Sequence, residues 1–131
     1  MSQTQVEIVQ GAFAAYRDGG VDAAMPSFAP GAVWYFDADE WVEDLAYRGH
    51  EGIRAAHAVW VGSLDEFGFD VHEIRDLGGR VLVLTDIIGL AKDSGTPARL
   101  SMNLLVDVGG GLITEVHTFT DRERALAAAE R

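Results

Sequence analysis

The chain contains no cysteine. That excludes a disulfide framework, a thiolate nucleophile and every cysteine-based zinc site. It also leaves the cytoplasm as the expected compartment. Basic residues are scarce: 10 Lys plus Arg stand against 21 Asp plus Glu, for a net charge of −11. A surface of that sign repels phosphate, so nucleic acid and anionic membranes are poor partners. Otherwise the acid excess reads as a solvated face. No apolar run reaches the ~20 residues that a membrane-spanning helix needs. The first residues, MSQTQVEIVQ, lack the basic start and apolar core of a signal peptide. No glycine-rich phosphate cradle is present, since Gly109-Gly110-Gly111 reads as a hairpin turn. His50 and His57 are seven residues apart, not the four that place two ligands on one helical face. No metal and no cofactor are therefore expected.

What remains is a chain of 131 residues, 48% hydrophobic, which suits one packed domain spanning 1–131. Apolar residues Val6, Val9, Phe13 and Tyr16 recur at helical spacing over 4–18. Gly19-Gly20 ends that helix, and Asp22 is a candidate N-cap for a short one through Met25. A strand is predicted over 32–37, AVWYFD, with Trp34 and Phe36 pointing one way and Val33, Tyr35 and Asp37 the other. The acidic stretch from Asp37 to Gly49 reads as a loop. Trp41 is the exception in it, an apolar ring that either folds back as a pocket lid or sits in a solvated segment.

A second long helix covers 51–64, with a stripe of Ile53, His57, Trp60, Val61 and Leu64. Strands follow over 67–76, 80–92, 99–108 and 112–120, joined by Asp- and Gly-rich turns, and Asp121 caps a last short helix. The expected class is α+β, helices on one face of a curved antiparallel sheet. The late strands are apolar on both faces, which an open sheet wet on one side would not be. The second face is therefore expected to bury against another copy of the chain, around Met102, Leu104, His117 and Phe119.

This order of elements resembles the nuclear-transport-factor-2-like superfamily, cone-shaped α+β barrels, and within it the SnoaL-like and ketosteroid-isomerase-like proteins. The stretches VEIVQGAFAAYRDGGVDAAMPSFAPGAVW, YRGHEGIRAAHAVW and GGLITEVHTF carry the likeness. The superfamily hosts isomerases, cyclases, dehydratases and non-catalytic binders, so the fold is implied more sharply than the activity. In the isomerase branch, a helix tyrosine and a late-strand acid donate hydrogen bonds to a developing enolate oxygen. The resemblance puts these at Tyr16 and Asn103. The family's base position falls on Phe36, so steroid isomerisation is not expected, and a tyrosine neighbouring the helix tyrosine falls on His57.

The candidate catalytic residues are therefore Tyr16, His57, Asp86 and Asn103. Tyr16 either donates into a pocket or simply closes an apolar stripe. His57 is the natural proton carrier near neutrality, or a satisfied core histidine. Asp86, between Leu84 and Ile88 on its face, is either a desolvated acid or an acid bonded to Arg99 or Arg80. Asn103 is either a pocket donor or a bridge between strands. Trp34, Phe36, Trp41, Trp60, Ser101, Val116, Thr118 and Thr120 are the candidate substrate-binding residues. Three functional classes stay open. One is a cofactor-free enzyme moving a proton on a largely apolar small molecule, cyclic compounds among the options, by isomerisation, cyclisation or dehydration. Another is a small-molecule binder, and the third a protein-association module.

Overall fold

The computed structural model describes residues 4–36, 45–62 and 64–130, with the side chains of Leu45 and of the candidate Trp60 outside the described set. Helix α1 runs Gln5–Ala24. Thr4 opens it through a capping box with Glu7, each side chain meeting the other's backbone N–H at 3.1 Å. The helix breaks at Gly20, whose φ of 79° is left-handed, as the glycine pair predicted. Asp22 does not cap the segment that follows. Its carboxylate accepts from Arg54 of the next helix instead, at 2.8 Å. A 3₁₀ turn, Met25–Ser27, leads into β1, Phe28–Phe36.

Strand β2, Leu45–Arg48, lies where a loop was expected. Four residues carry too little alternation to announce a strand, and pairing with the open edge of β1 makes it one: Trp34 faces Tyr47, and Phe36 faces Leu45. Trp41 falls outside the described residues. Helix α2 covers Gly49–Val61. Strands β3 (Leu64–Asp76), β4 (Arg80–Ala91), β5 (Pro97–Gly109) and β6 (Leu112–Phe119) follow, then α3, Arg122–Ala129, capped by Asp121. The strands form one curved sheet in the order β2-β1-β6-β5-β4-β3, antiparallel except where β1 meets β6. The result is the cone-shaped α+β fold.

Alternation sorts each strand onto two faces. On the inner face, Trp34, Val81, Val83, Met102, Leu104, Val106 and Val116 pack against Val9, Ala12, Ile53 and Ala56 of α1 and α2. On the outer face, Leu82, Leu84, Leu105 and Phe119 pack against Ala125 and Leu126 of α3. Both Leu82 and Val83 are 0% exposed, so β4 is dry on either side. The helices therefore do not share one face, contrary to the sequence expectation. The chain supplies part of the outer cover itself, from an alanine-rich segment of small apolar groups. Met102 and Leu104 also correct the expected association surface, because they point into the core. Phe119 is outward but roofed by α3, and His117 remains the open member of that set, its side chain 30% exposed. Among the described residues, no helix is long and apolar enough to cross a membrane.

Candidate functional site

Tyr16 sits on the inward stripe of α1, and His57 on that of α2. Their side chains meet: Tyr16 Oη lies 2.6 Å from His57 Nε2. The tyrosine O–H donates when the imidazole carries its proton on Nδ1, and accepts from Nε2–H in the other tautomer. Burial pushes the Tyr16 phenol up to about 12. Burial also lowers the His57 imidazole below its ordinary value. Near pH 7 both groups are therefore held neutral, a phenol beside an unprotonated base.

This pair forms the polar spot on the wall of an otherwise apolar inner cavity of about 70 Å³, bounded by Val9, Phe13, Trp34, Phe69, Leu104 and Val116 among others. A larger cleft of about 550 Å³ adjoins it and shares Phe13, Tyr16 and Phe69. Aromatic rings crowd the boundary edge to face: Tyr16 against Phe69 at 5.3 Å, and His57 against Phe67 at 5.7 Å.

Of the remaining candidates, Trp34 and Val116 line the cavity as expected. Trp34 Nε1–H donates to Thr118 Oγ1 at 2.7 Å, so Thr118 faces inward but holds the tryptophan in place. Phe36 is buried beside Tyr47 and does not line the cavity. Nor does Thr120, which lies past the end of β6.

Asp86, Asn103 and Ser101 do not join Tyr16. Their inward neighbours Thr85, Ile87, Met102 and Leu104 fix them on the outer face. Asn103 Nδ2 donates to Ser101 Oγ at 3.0 Å and to the Phe119 carbonyl at 3.3 Å, which makes it the strand-to-strand bridge. Asp86 accepts from His72 Nε2 at 2.9 Å and Arg99 Nη1 at 2.7 Å. Those hydrogen bonds, the one from His72 first, hold its carboxyl below the usual range, the opposite of a desolvated acid. The expected convergence of Tyr16, Asp86 and Asn103 is thus corrected to Tyr16 and His57.

Arg99 also binds Asp70, at 2.8 Å, so removing Asp86 leaves the arginine partnered and half in water. Asp86→Leu is accordingly expected to lower Tm by no more than about 4 °C and to leave ligand affinity at the cavity unchanged. Thermal melts and a binding titration check this. A drop beyond about 10 °C, or lost affinity, would return Asp86 to the site.

Sequence reasoning missed Phe13, Phe67 and Phe69 as site walls. Their signal was present, because Phe13 shares the stripe of Tyr16 and the other two alternate on one strand. It also missed two outer-face groups of possible metal ligands, Asp70/His72/Asp86 and Asp107/Glu115/His117. Each is already tied to an arginine, the first to Arg99 and the second to Arg80, which reaches Asp107 at 2.7 Å.

Solved structures share this architecture. One is a protein of ketosteroid isomerase-like fold from Catenulispora acidiphila DSM 44928, solved in complex with trimethylamine. It is 21% identical, with 97% of this chain and 95% of that one covered and a TM-score of 0.72. A candidate SnoaL-like polyketide cyclase from Jannaschia sp. CCS1 is 20% identical over 98% and 96% of the two chains, TM-score 0.72. An NTF2-like protein from Burkholderia thailandensis E264 is 23% identical over 98% of each, TM-score 0.76. At these identities the likeness speaks to fold alone. No curated protein sequence matches the chain. The model of the SnoaL-like domain matches residues 9–116, from the second turn of α1 to the cavity residue Val116, and the chain belongs to that family.

Proposed function

We propose that the protein is a cofactor-free enzyme that moves a proton on a largely apolar small molecule, with His57 as base and Tyr16 as the hydrogen-bond donor to the substrate oxygen. One observation carries the reading: the 2.6 Å Tyr16–His57 contact on the wall of an apolar cavity. A bound carbonyl oxygen takes the Tyr16 O–H in place of His57 Nε2. The imidazole lone pair is then free to accept a proton from the carbon beside the carbonyl. The C–H electron pair moves toward the oxygen as an enolate, which Tyr16 stabilises, and the proton returns from His57 to carbon. The raised phenol keeps its proton and stays a donor throughout. The Jannaschia relative's description as a cyclase accords with this chemistry.

Exchange of α-protons of a simple ketone in D₂O, followed by NMR, tests the reading. His57 acts unprotonated, and burial lowers its pKa below the ordinary value, so the rate should fall in acid and level off toward neutral pH. Exchange no faster than buffer alone would sink it. A second reading, a binder without chemistry, is favoured by Phe36: where the resemblance puts the family's base, this chain has a buried ring.

Association of two copies through the outer face belongs to the same proposal. Tyr35 stacks on His117 there, centroids 4.7 Å apart and 9° from parallel, a flat aromatic surface beside α3. Sedimentation at micromolar concentration should give twice the chain mass, and a clean monomer would remove the idea.

A further inference from the structure

The inner cavity is too small to be the whole ligand site. An apolar cavity of roughly 150 Å³ takes a benzene ring. By that measure the inner cavity, about 70 Å³, takes only about three carbons. The adjoining cleft, about 550 Å³, lies in the range of small-molecule pockets. Tyr16 borders both spaces and His57 the inner one, so the tyrosine hydroxyl stands where the two spaces meet.

Phe67 is placed differently from its neighbours. It lines the outer cleft and not the inner cavity. Its ring sits edge-on to His57 at 5.7 Å, Tyr16 at 6.3 Å and Phe69 at 5.4 Å. It rides on an irregularity of β3, where the register against β4 shifts between Asp65 and Gly68. Glu66 there has a φ of 53°, a left-handed conformation that non-glycine residues seldom adopt. That extra residue re-aims the strand and brings Phe67 over the pair.

Resting on the reading of Tyr16 and His57 as the site, we infer that the ligand spans both spaces past Phe67: an elongated molecule with an internal ketone or hydroxyl, a short apolar arm of about three carbons in the inner cavity and a longer arm in the cleft between Phe67, Phe69 and Arg17. Phe67 then determines which outer arm is accepted. A ketone at the chain end does not suit this geometry, because the apolar inner cavity beside the pair would stay empty.

Calorimetric titration with two isomeric ketones tests this. 4-Nonanone carries a three-carbon arm, and 2-nonanone only a methyl. 4-Nonanone is expected to bind a few-fold tighter, because two methylenes move from the cleft, which Arg17 also borders, to the apolar walls of the inner cavity. Phe67→Trp should weaken 4-nonanone several-fold by narrowing the way past Tyr16 and His57, while Phe67→Leu should hold or improve it. The leucine variant keeps the test alive if the larger ring disturbs the fold. Equal affinity for the two isomers, no binding of either, or no response to both Phe67 substitutions would overturn the inference. Tyr16→Phe separates the two proposals. If it leaves ketone affinity untouched, the site reading itself fails. If it weakens both isomers alike while they bind equally, only the two-space inference fails.

Discussion

His57→Gln should slow α-proton exchange about 10²- to 10⁴-fold while leaving the fold intact. Glutamine keeps much of the bulk against Phe67 and can still accept from Tyr16, but it cannot take a proton. The loss should therefore appear in rate and not in affinity. Tyr16→Phe should act differently. It removes the donor to the developing oxyanion and lowers both rate and ketone affinity, with His57 still present as base. Exchange at the buffer rate by both wild type and His57→Gln would leave the binder reading standing, and equal rates above it would remove His57 as the base. The pair also marks stability against pH. The folded pKa of His57 lies below its unfolded value, so its contribution is present above pH 6.5 and lost as pH falls through the folded value. For Tyr16 the sign reverses: stability is present below pH 10 and lost as pH rises toward 12.

Trp34→Ala should be the most damaging single truncation at the site, costing about 3–5 kcal/mol. Trp34 is 7% exposed, packs beside Phe28 and walls the inner cavity. Against a typical total of about 5–15 kcal/mol, that loss brings the fold close to its limit. Trp34→Phe isolates the polar part. It keeps most of the ring volume but takes the indole N–H away from Thr118 Oγ1, which is 0% exposed. About 1–3 kcal/mol of destabilisation is expected for that buried oxygen. Urea midpoints of the two variants measure both effects. A midpoint of Trp34→Phe equal to wild type would mean that Thr118 finds another donor.

The helices and the long strands were legible because their periods are strong. The stripe Val6–Val9–Phe13–Tyr16 and the run RVLVLTDIIGL each fit one period and not the other. β2 was not legible, since Leu45–Arg48 becomes a strand only by pairing with β1. The role of α3 was hidden for a related reason. An alanine-rich helix has a weak stripe, and Ala125 is core only because Leu82, Leu84 and Leu105 leave a shallow outer surface for it. At the site, Tyr16 and His57 were within reach of sequence reasoning, each lying on an apolar helical face. Their contact was not, because 41 residues separate them and only helix packing sets that distance.

Alternation along the strands did establish, from the residues alone, that Asp86 shares a face with Leu84 and Ile88, and Asn103 with Ser101 and Leu105. It could not say which face turns inward. On an amphipathic strand, burial of the apolar set would decide that. Here both sets of β4 and β5 are apolar, so the pattern is the same read either way. The decision fell to the tertiary structure. α1 and α2 are large enough to fill the concave side against Val83, Met102 and Leu104, while α3 roofs part of the convex side. That choice turned Asp86 toward His72 and Arg99 and left Tyr16 and His57 to face the cavity together.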